Sequence, residues 1–290
     1  MAAVLRRDSF LRREAVRARG DAGAQSHDEQ QQLVAEEVVE GGEVSSISLH
    51  TLPPPPGPGV LANERFSSFA HLVAARRSCR DFEKDAAVAL DDLANVLYAC
   101  QGKTLEAPEV DSLGHSALPR RAAPSGGAAY PLSVYVAIGA RVHGLMHGLY
   151  KYDSGSHSLF GPLSDTKVDA KSALDVLAST SVPHDSTPFE VAAGHQTWIG
   201  NAAALILITG DAAITAAKGG LYGRFKDALV TLEAGMAAEN ALLMATARGL
   251  GACPVGAFEG SDVDAAFRNA YATDTEAPVI MVALGVPVVL

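Results

Sequence analysis

Residues 76–80, Arg-Arg-Ser-Cys-Arg, place three guanidiniums and one hydroxyl within five positions. A guanidinium keeps its charge at any ordinary pH, so such a cluster is costly to bury without partners. A phosphate is a suitable partner, because its oxygens accept forked hydrogen bonds from guanidinium groups. The competing reading is a solvated basic turn. A second cluster runs from Arg120 and Arg121 through Pro124, Ser125, Gly126 and Gly127 to Tyr130-Pro131. Its two glycines and small alanines let a backbone approach a flat ligand closely, although paired glycines also mark ordinary turns. A third cluster, Gly249 to Phe258 (Gly-Leu-Gly-Ala-Cys-Pro-Val-Gly-Ala-Phe), has few side chains to obstruct a planar ring. Its N–H groups could donate to a ring edge. A helix-to-strand connection built on left-handed glycines fits the same residues.

Other chemistries lack their residues. The chain has no Gly-x-Ser-x-Gly, no His-Glu-x-x-His and no Walker loop. His143 and His147 are four apart, but Gly144 and Gly148 flank them and no third ligand is in view, so no metal is expected. Cys79, Cys100 and Cys253 are widely separated and odd in number, which fits a reducing compartment rather than a disulfide framework. The net charge of −10 argues against a nucleic-acid partner. No run reaches the roughly 18 to 20 apolar residues that span a bilayer, so no membrane partner is expected. The first twenty residues carry six arginines against Asp8 and Glu14. The acids weaken a transit-peptide reading, leaving a cytoplasmic expectation with organelle targeting as the alternative.

Several elements must position these clusters. Residues 1–59 read as a basic, Pro-rich and partly disordered extension ending in Pro53-Pro-Pro-Pro-Gly-Pro-Gly59. Residues 60–290 read as the folded unit. Helices are predicted over Phe66–Ala75, Leu90–Cys100, Lys167–Ala178 and Phe225–Arg248, the last stopped by Gly249. It carries Glu233, Glu239 and Asn240 among small residues, which suits either a subunit interface or a tightly packed internal helix. Glu233 there must be hydrogen-bonded or paired. Strands are predicted over Ser133–Ile138, Ala203–Thr209 and Pro278–Leu284, with a hairpin turning at Asp153-Ser-Gly-Ser. The composition, 48% hydrophobic and 19% charged, suits a sizeable core. Interleaved helices and strands with a hairpin predict an α+β sandwich of helices about a mixed sheet.

Taken in order, the clusters resemble the flavin-binding elements of the nitroreductase superfamily, and more narrowly its SagB-type branch, which includes azoline dehydrogenases of thiazole/oxazole-modified peptide pathways. The matching residues are Arg76 to Phe82, Arg121 to Gly127 with Tyr130-Pro131, Gly148 to Tyr152, and Trp198-Ile199. They continue with Tyr222-Gly223-Arg224, Leu232 to Gly235 with Glu239-Asn240, Gly249 to Phe258, and Ala283 to Pro287. The ordered series covers about residue 60 to the C-terminus. The resemblance implies a mainly antiparallel sheet, FMN as cofactor and an intertwined homodimer. It implies that Arg76, Arg77, Ser78 and Arg80 hold the FMN phosphate and ribityl chain. Pro124, Ser125 and Gly126 would come from the partner subunit, and Pro254, Val255 and Gly256 would line the isoalloxazine ring near N5.

Two departures qualify the narrower resemblance. The branch carries a Lys-Tyr pair before the Gly-x-Arg step, tied to proton removal; here Leu221 precedes Tyr222. Tyr222 is then the candidate acid/base, with Lys218 or Lys226 as substitutes for the missing lysine. A free phenol has a pKa near 10, so it needs help at neutral pH. The chain also ends Gly285-Val-Pro-Val-Val-Leu290, without the basic terminus of many nitroreductases. The implied activity is an FMN-dependent oxidoreductase that dehydrogenates azoline heterocycles or similar C–H substrates, small molecules or modified peptides, with hydride passing to flavin N5. Partner enzymes of a peptide-modification complex would accompany it. The alternatives are an NAD(P)H-dependent nitro- or quinone reductase and a non-catalytic, peptide-holding accessory protein.

Overall fold

Eight consecutive buried residues, Ala204–Asp211, form a strand that can exist only with both faces covered. A computed structural model shows how, describing residues 48–54, 69–105, 120–139, 141–163, 196–258, 263 and 274–288. In chain order the elements are β1 (Ser48–Thr51), α1 (Phe69–Ala75), α2 (Leu90–Gln101), β2 (Lys103–Leu105), β3 (Arg120–Arg121) and β4 (Leu132–Ile138). Next come β5 (Gly148–Asp153), β6 (Ser158–Gly161), β7 (Ala204–Asp211), α3 (Ala212–Ala216) and α4 (Gly220–Arg224). The last are α5 (Lys226–Ala247), β8 (Gly251–Val255) and β9 (Glu276–Gly285).

Seven strands form one sheet in the order β1-β6-β5-β4-β7-β9-β8. Every neighbouring pair in it is antiparallel. Among the described residues parallel contact is confined to two isolated bridges, Ser78 with Ala252 and Val88 with Val142. The architecture is α+β. Side chains alternate along the central strands as the strand period requires. Val134, Val136, Ile206 and Ile208 join the core that α2 and α5 cover. Tyr135, Ala137, Leu205 and Leu207 face the opposite core with Phe82, Val255 and Met281. Each fully buried Leu, Ile or Val stabilises the fold by about 1.5–3 kcal/mol.

Helix α5 packs on the sheet through small residues, Ala234, Ala237, Ala238, Ala241 and Ala245. By length and composition it could cross a membrane, but those residues lie inside the core. Arg248, at its C-terminal end, donates from Nε to Asp92 at 2.6 Å and from Nη2 to Asp91 at 2.5 Å. The acids occupy the first turn of α2 and the cation follows the last turn of α5, so both helix dipoles are complemented. Gly249, at φ 74°, ends the helix in the left-handed conformation that glycine adopts without strain.

Two features differ from the sequence expectation. Gly251–Val255, read as part of a glycine-rich loop, is strand β8, paired with β9. Gly251 and Gly285 make this possible: a Cβ at the first would lie 2.6 Å from Cys79 Sγ and at the second 2.8 Å from the Phe82 ring. Ser48–Thr51, upstream of the expected folded unit, pairs with β6 as an edge strand. Helix α1 is described only from Phe69, and the helix expected over Lys167–Ala178 lies outside the described residues.

Candidate functional site

The arginine cluster begins where α1 ends. Arg77 is exposed and folds back to cap that end, donating to the carbonyls of Ala74 and Arg76 at 2.8 Å each. Ser78 then bridges Ala252 in parallel, and the Cys79 N–H donates to the Ala252 carbonyl at 2.9 Å. The first and third sequence clusters therefore lie side by side. The Ser78 hydroxyl bonds the Cys253 thiol, whose pKa is raised by burial against the opposing charges of Arg80 and Arg76. Both guanidiniums thus act on strand β8. Arg76 Nε is 3.5 Å from Glu239 Oε1, an ion pair with one partner half-exposed. Such a pair contributes below about 1 kcal/mol and yields readily to a stronger anion.

Arg80 lies over the Trp198 ring, 5.7 Å from its centroid, and Trp198 rests on Phe82 with centroids 6.3 Å apart. The turn that carries Trp198 is held by a buried arginine unmarked by the sequence motifs. Arg141 donates to the carbonyls of Asn201 at 2.9 Å and Ala202 at 2.8 Å, and also to Lys84 at 3.2 Å. Following Ser78, Pro254 pairs with Val282, Val255 is buried against Met281, and Gly256 leaves the strand exposed. A Cβ at Gly256 would meet nothing within 4 Å, so open space lies before this backbone.

The second cluster forms a separate wall. Gly126 donates its N–H to Glu233 Oε1 at 2.9 Å, and Ser125 Oγ accepts from the Tyr130 N–H at 2.8 Å. Ser125 also bonds the Glu233 carboxyl, whose pKa is raised by burial and partly restored by these two donors. Tyr222 packs flat on the loop: a Cβ at Gly127, whose φ is 61°, would lie 3.1 to 3.4 Å from its ring. Pro124 is exposed at the loop's outer edge. Asn240 donates to the Ala122 carbonyl at 3.4 Å. Tyr222 is 39% exposed, and no hydrogen bond to its hydroxyl is formed among the described residues. Lys218 is exposed between α3 and α4, and its side chain forms no hydrogen bond or ion pair with Tyr222; Lys226 pairs with Asp227 at 3.4 Å.

Helix α5 relates the two walls. Glu233 and Asn240 are two turns apart and share a face, and both hold the 122–126 segment. Glu239 lies 100° around the helix from Asn240 and holds Arg76. The arginine cradle and the glycine loop therefore leave α5 in different directions. A phosphate-bearing flat ligand fits the first wall on chemical grounds: two guanidiniums at one end and open backbone at Gly256. Among the described residues no group of three His, Cys, Asp or Glu is disposed to hold a metal.

The nitroreductase family model matches residues 73–286. A nitroreductase-type protein of Methanocaldococcus jannaschii is 31% identical over 192 residues, 66% of this chain and 80% of that protein. The solved structure of a nitroreductase-type protein of Ralstonia eutropha superposes with a TM-score of 0.54 at 19% identity, covering 83% of this chain and 90% of that one. One from Anabaena variabilis gives the same score at 16% identity, covering 92% and 49%. Both structures share the fold.

Proposed function

The chain belongs to the nitroreductase family, and from that membership we propose that it is an FMN-dependent oxidoreductase of the SagB type, acting on azoline heterocycles or a related C–H substrate. The observation that carries the reading is the Ser78–Ala252 bridge, which ties the arginine cluster to strand β8, the strand that runs on to Pro254 and Val255. Arg76, Ser78 and Arg80 would hold the FMN phosphate and ribityl chain, while Arg77 is turned toward the end of α1. Pro254, Val255 and Gly256 would flank the ring. FMN, when bound, supplies the hydride-accepting centre. Tyr222 would hold or take the substrate proton, with its ring oriented by Gly126 and Gly127. The divergent directions of the two walls on α5 support an assembly in which Pro124, Ser125 and Gly126 serve the partner's flavin. The active form is then a homodimer.

A second reading is favoured by one observation. Neither Lys218 nor Lys226 bonds the Tyr222 hydroxyl, so no lysine there assists proton removal. An NAD(P)H-dependent nitro- or quinone reductase needs no such base. The visible spectrum of the purified protein, with the released chromophore weighed by mass spectrometry, tests the common premise. Flavin bands at about 370 and 450 nm and one FMN per chain are expected. A colourless protein that takes up no added FMN overturns both readings. Consumption of NADH with a quinone, against conversion of an azoline peptide without NADH, separates them.

A further inference from the structure

A polar cavity lies at the end of the sheet, lined in part by Arg121, Lys151 and Tyr152 of the matched series but by none of the residues assigned to the cofactor. It has a volume of about 120 Å3 and is lined by Gln101, Arg121, Ser133, Lys151, Asp153 and Ser154 among others. That volume is several times what one water needs. Gln101 is only 3% exposed, and its Oε1 has no hydrogen-bond partner. A buried carboxamide left so is costly and calls for a polar occupant. Arg121 is half-buried and lies over the Tyr130 ring, 4.9 Å from the centroid. Among the described residues no carboxylate comes within ion-pairing distance of its guanidinium, so its planar fork has no bidentate partner. Asp153 is committed to the hairpin turn, accepting from the Ser156 N–H at 2.9 Å and the Gly155 N–H at 3.3 Å.

Arg121 brings to this lining a guanidinium that feels the Asp153 charge but pairs with no carboxylate at ion-pairing distance among the described residues. We propose that this cavity is a binding site for a small monocarboxylate bearing a hydroxyl, of the size and chemistry of a 2-hydroxy acid. The carboxylate is gripped by the Arg121 fork, and the hydroxyl meets Gln101. A hydroxyl both donates and accepts, so it satisfies the carboxamide in either orientation. The site is independent of the flavin reading. Arg121 opens the second sequence cluster, yet the proposed function leaves its guanidinium unused.

Titration calorimetry of the full chain at low ionic strength, with sodium glycolate and sodium acetate as probes, tests the proposal. Glycolate is expected to bind saturably at one site, roughly fivefold tighter than acetate, the ratio one added hydrogen bond provides. Gln101→Leu should bring glycolate down to the acetate affinity. Arg121→Lys, which keeps the charge but loses the fork, should weaken both, and Arg121→Met should abolish both. Crystals of the unaltered protein soaked in glycolate provide a readout independent of any variant's folding. Absence of saturable binding, equal affinity for the two probes, or a cavity filled by water alone in the soaked crystals overturns the proposal.

Discussion

Glu233 shows how much one side chain organises. Its carboxyl receives the Gly126 N–H and the Ser125 hydroxyl from within a buried helix face that is otherwise apolar and mostly alanine. Removing it strands two donors, and each unsatisfied buried polar group costs about 1–3 kcal/mol. Glu233→Ala should therefore lower unfolding stability by at least that much in urea titrations, while Glu233→Gln keeps an acceptor and loses less. The pH dependence separates the charge from the hydrogen bond. Burial raises this carboxyl above its usual 4.5, so its contribution is complete below that value and is lost as pH rises through the higher folded-state pKa. Glu233→Gln should remove that dependence. His157 works in the opposite sense. Its Nδ1 meets the Tyr152 hydroxyl at 2.8 Å, and burial lowers its pKa below 6.5, opposed in part by the Pro53 backbone carbonyl. Its contribution is complete above pH 6.5 and is lost as pH falls through the lower folded-state pKa. His157→Asn tolerates the φ of 50° at this position and does not titrate, so the acid-side loss in the unfolding curve should shrink.

Elements announced by local chemistry were legible in the sequence, and elements made by distant pairing were not. Helix α5 was expected over Phe225–Arg248 and is found at Lys226–Ala247, because a run of good helix formers meets a left-handed glycine. Strands β4, β7 and β9 and the β5–β6 hairpin follow from β-branched runs and an Asp-Ser-Gly-Ser turn. Strand β8 was hidden, since its glycines look like loop residues until Cys79 and Phe82 are seen packed where a Cβ would stand. The arginine and glycine clusters were visible as types, but Arg141 under the Trp198 turn and Gln101 in the polar cavity carry no local signal. The Arg248 bridge belongs to this second kind. It joins residues more than 150 positions apart and fixes the start of α2 against the end of α5. Partly buried charge-assisted bonds contribute more than surface pairs. Arg248→Ala is expected to cost about 1–3 kcal/mol, with 1 M salt removing only part of the difference. A cost indistinguishable from zero would show the pair to be a solvated contact.

At the scale of the molecule, the described residues leave an apolar face of α4 and α5 uncovered. Leu221 is 69% exposed, Phe225 48%, Leu232 63% and Met236 40%, all on α4, α5 or the residue joining them. Gly235 lies on the same stripe, and a Cβ there would meet nothing within 4 Å. Glycine inside a helix costs roughly 1 kcal/mol relative to alanine, so a close approach from outside gives it a reason to be there. Contiguous apolar patches of this kind mark interfaces. On the proposed reading the occupant is a second copy, because the glycine loop and the arginine cradle diverge from α5. Burying Leu232 in both copies contributes about 4 kcal/mol per dimer, roughly a thousandfold in dissociation constant. Sedimentation of the unaltered protein should give a two-chain particle. Leu232→Asp should shift it to one chain at micromolar concentration and release FMN in the same titration. A single-chain particle that retains one FMN would show that each chain builds its site alone, and the exposed stripe would then require a different partner.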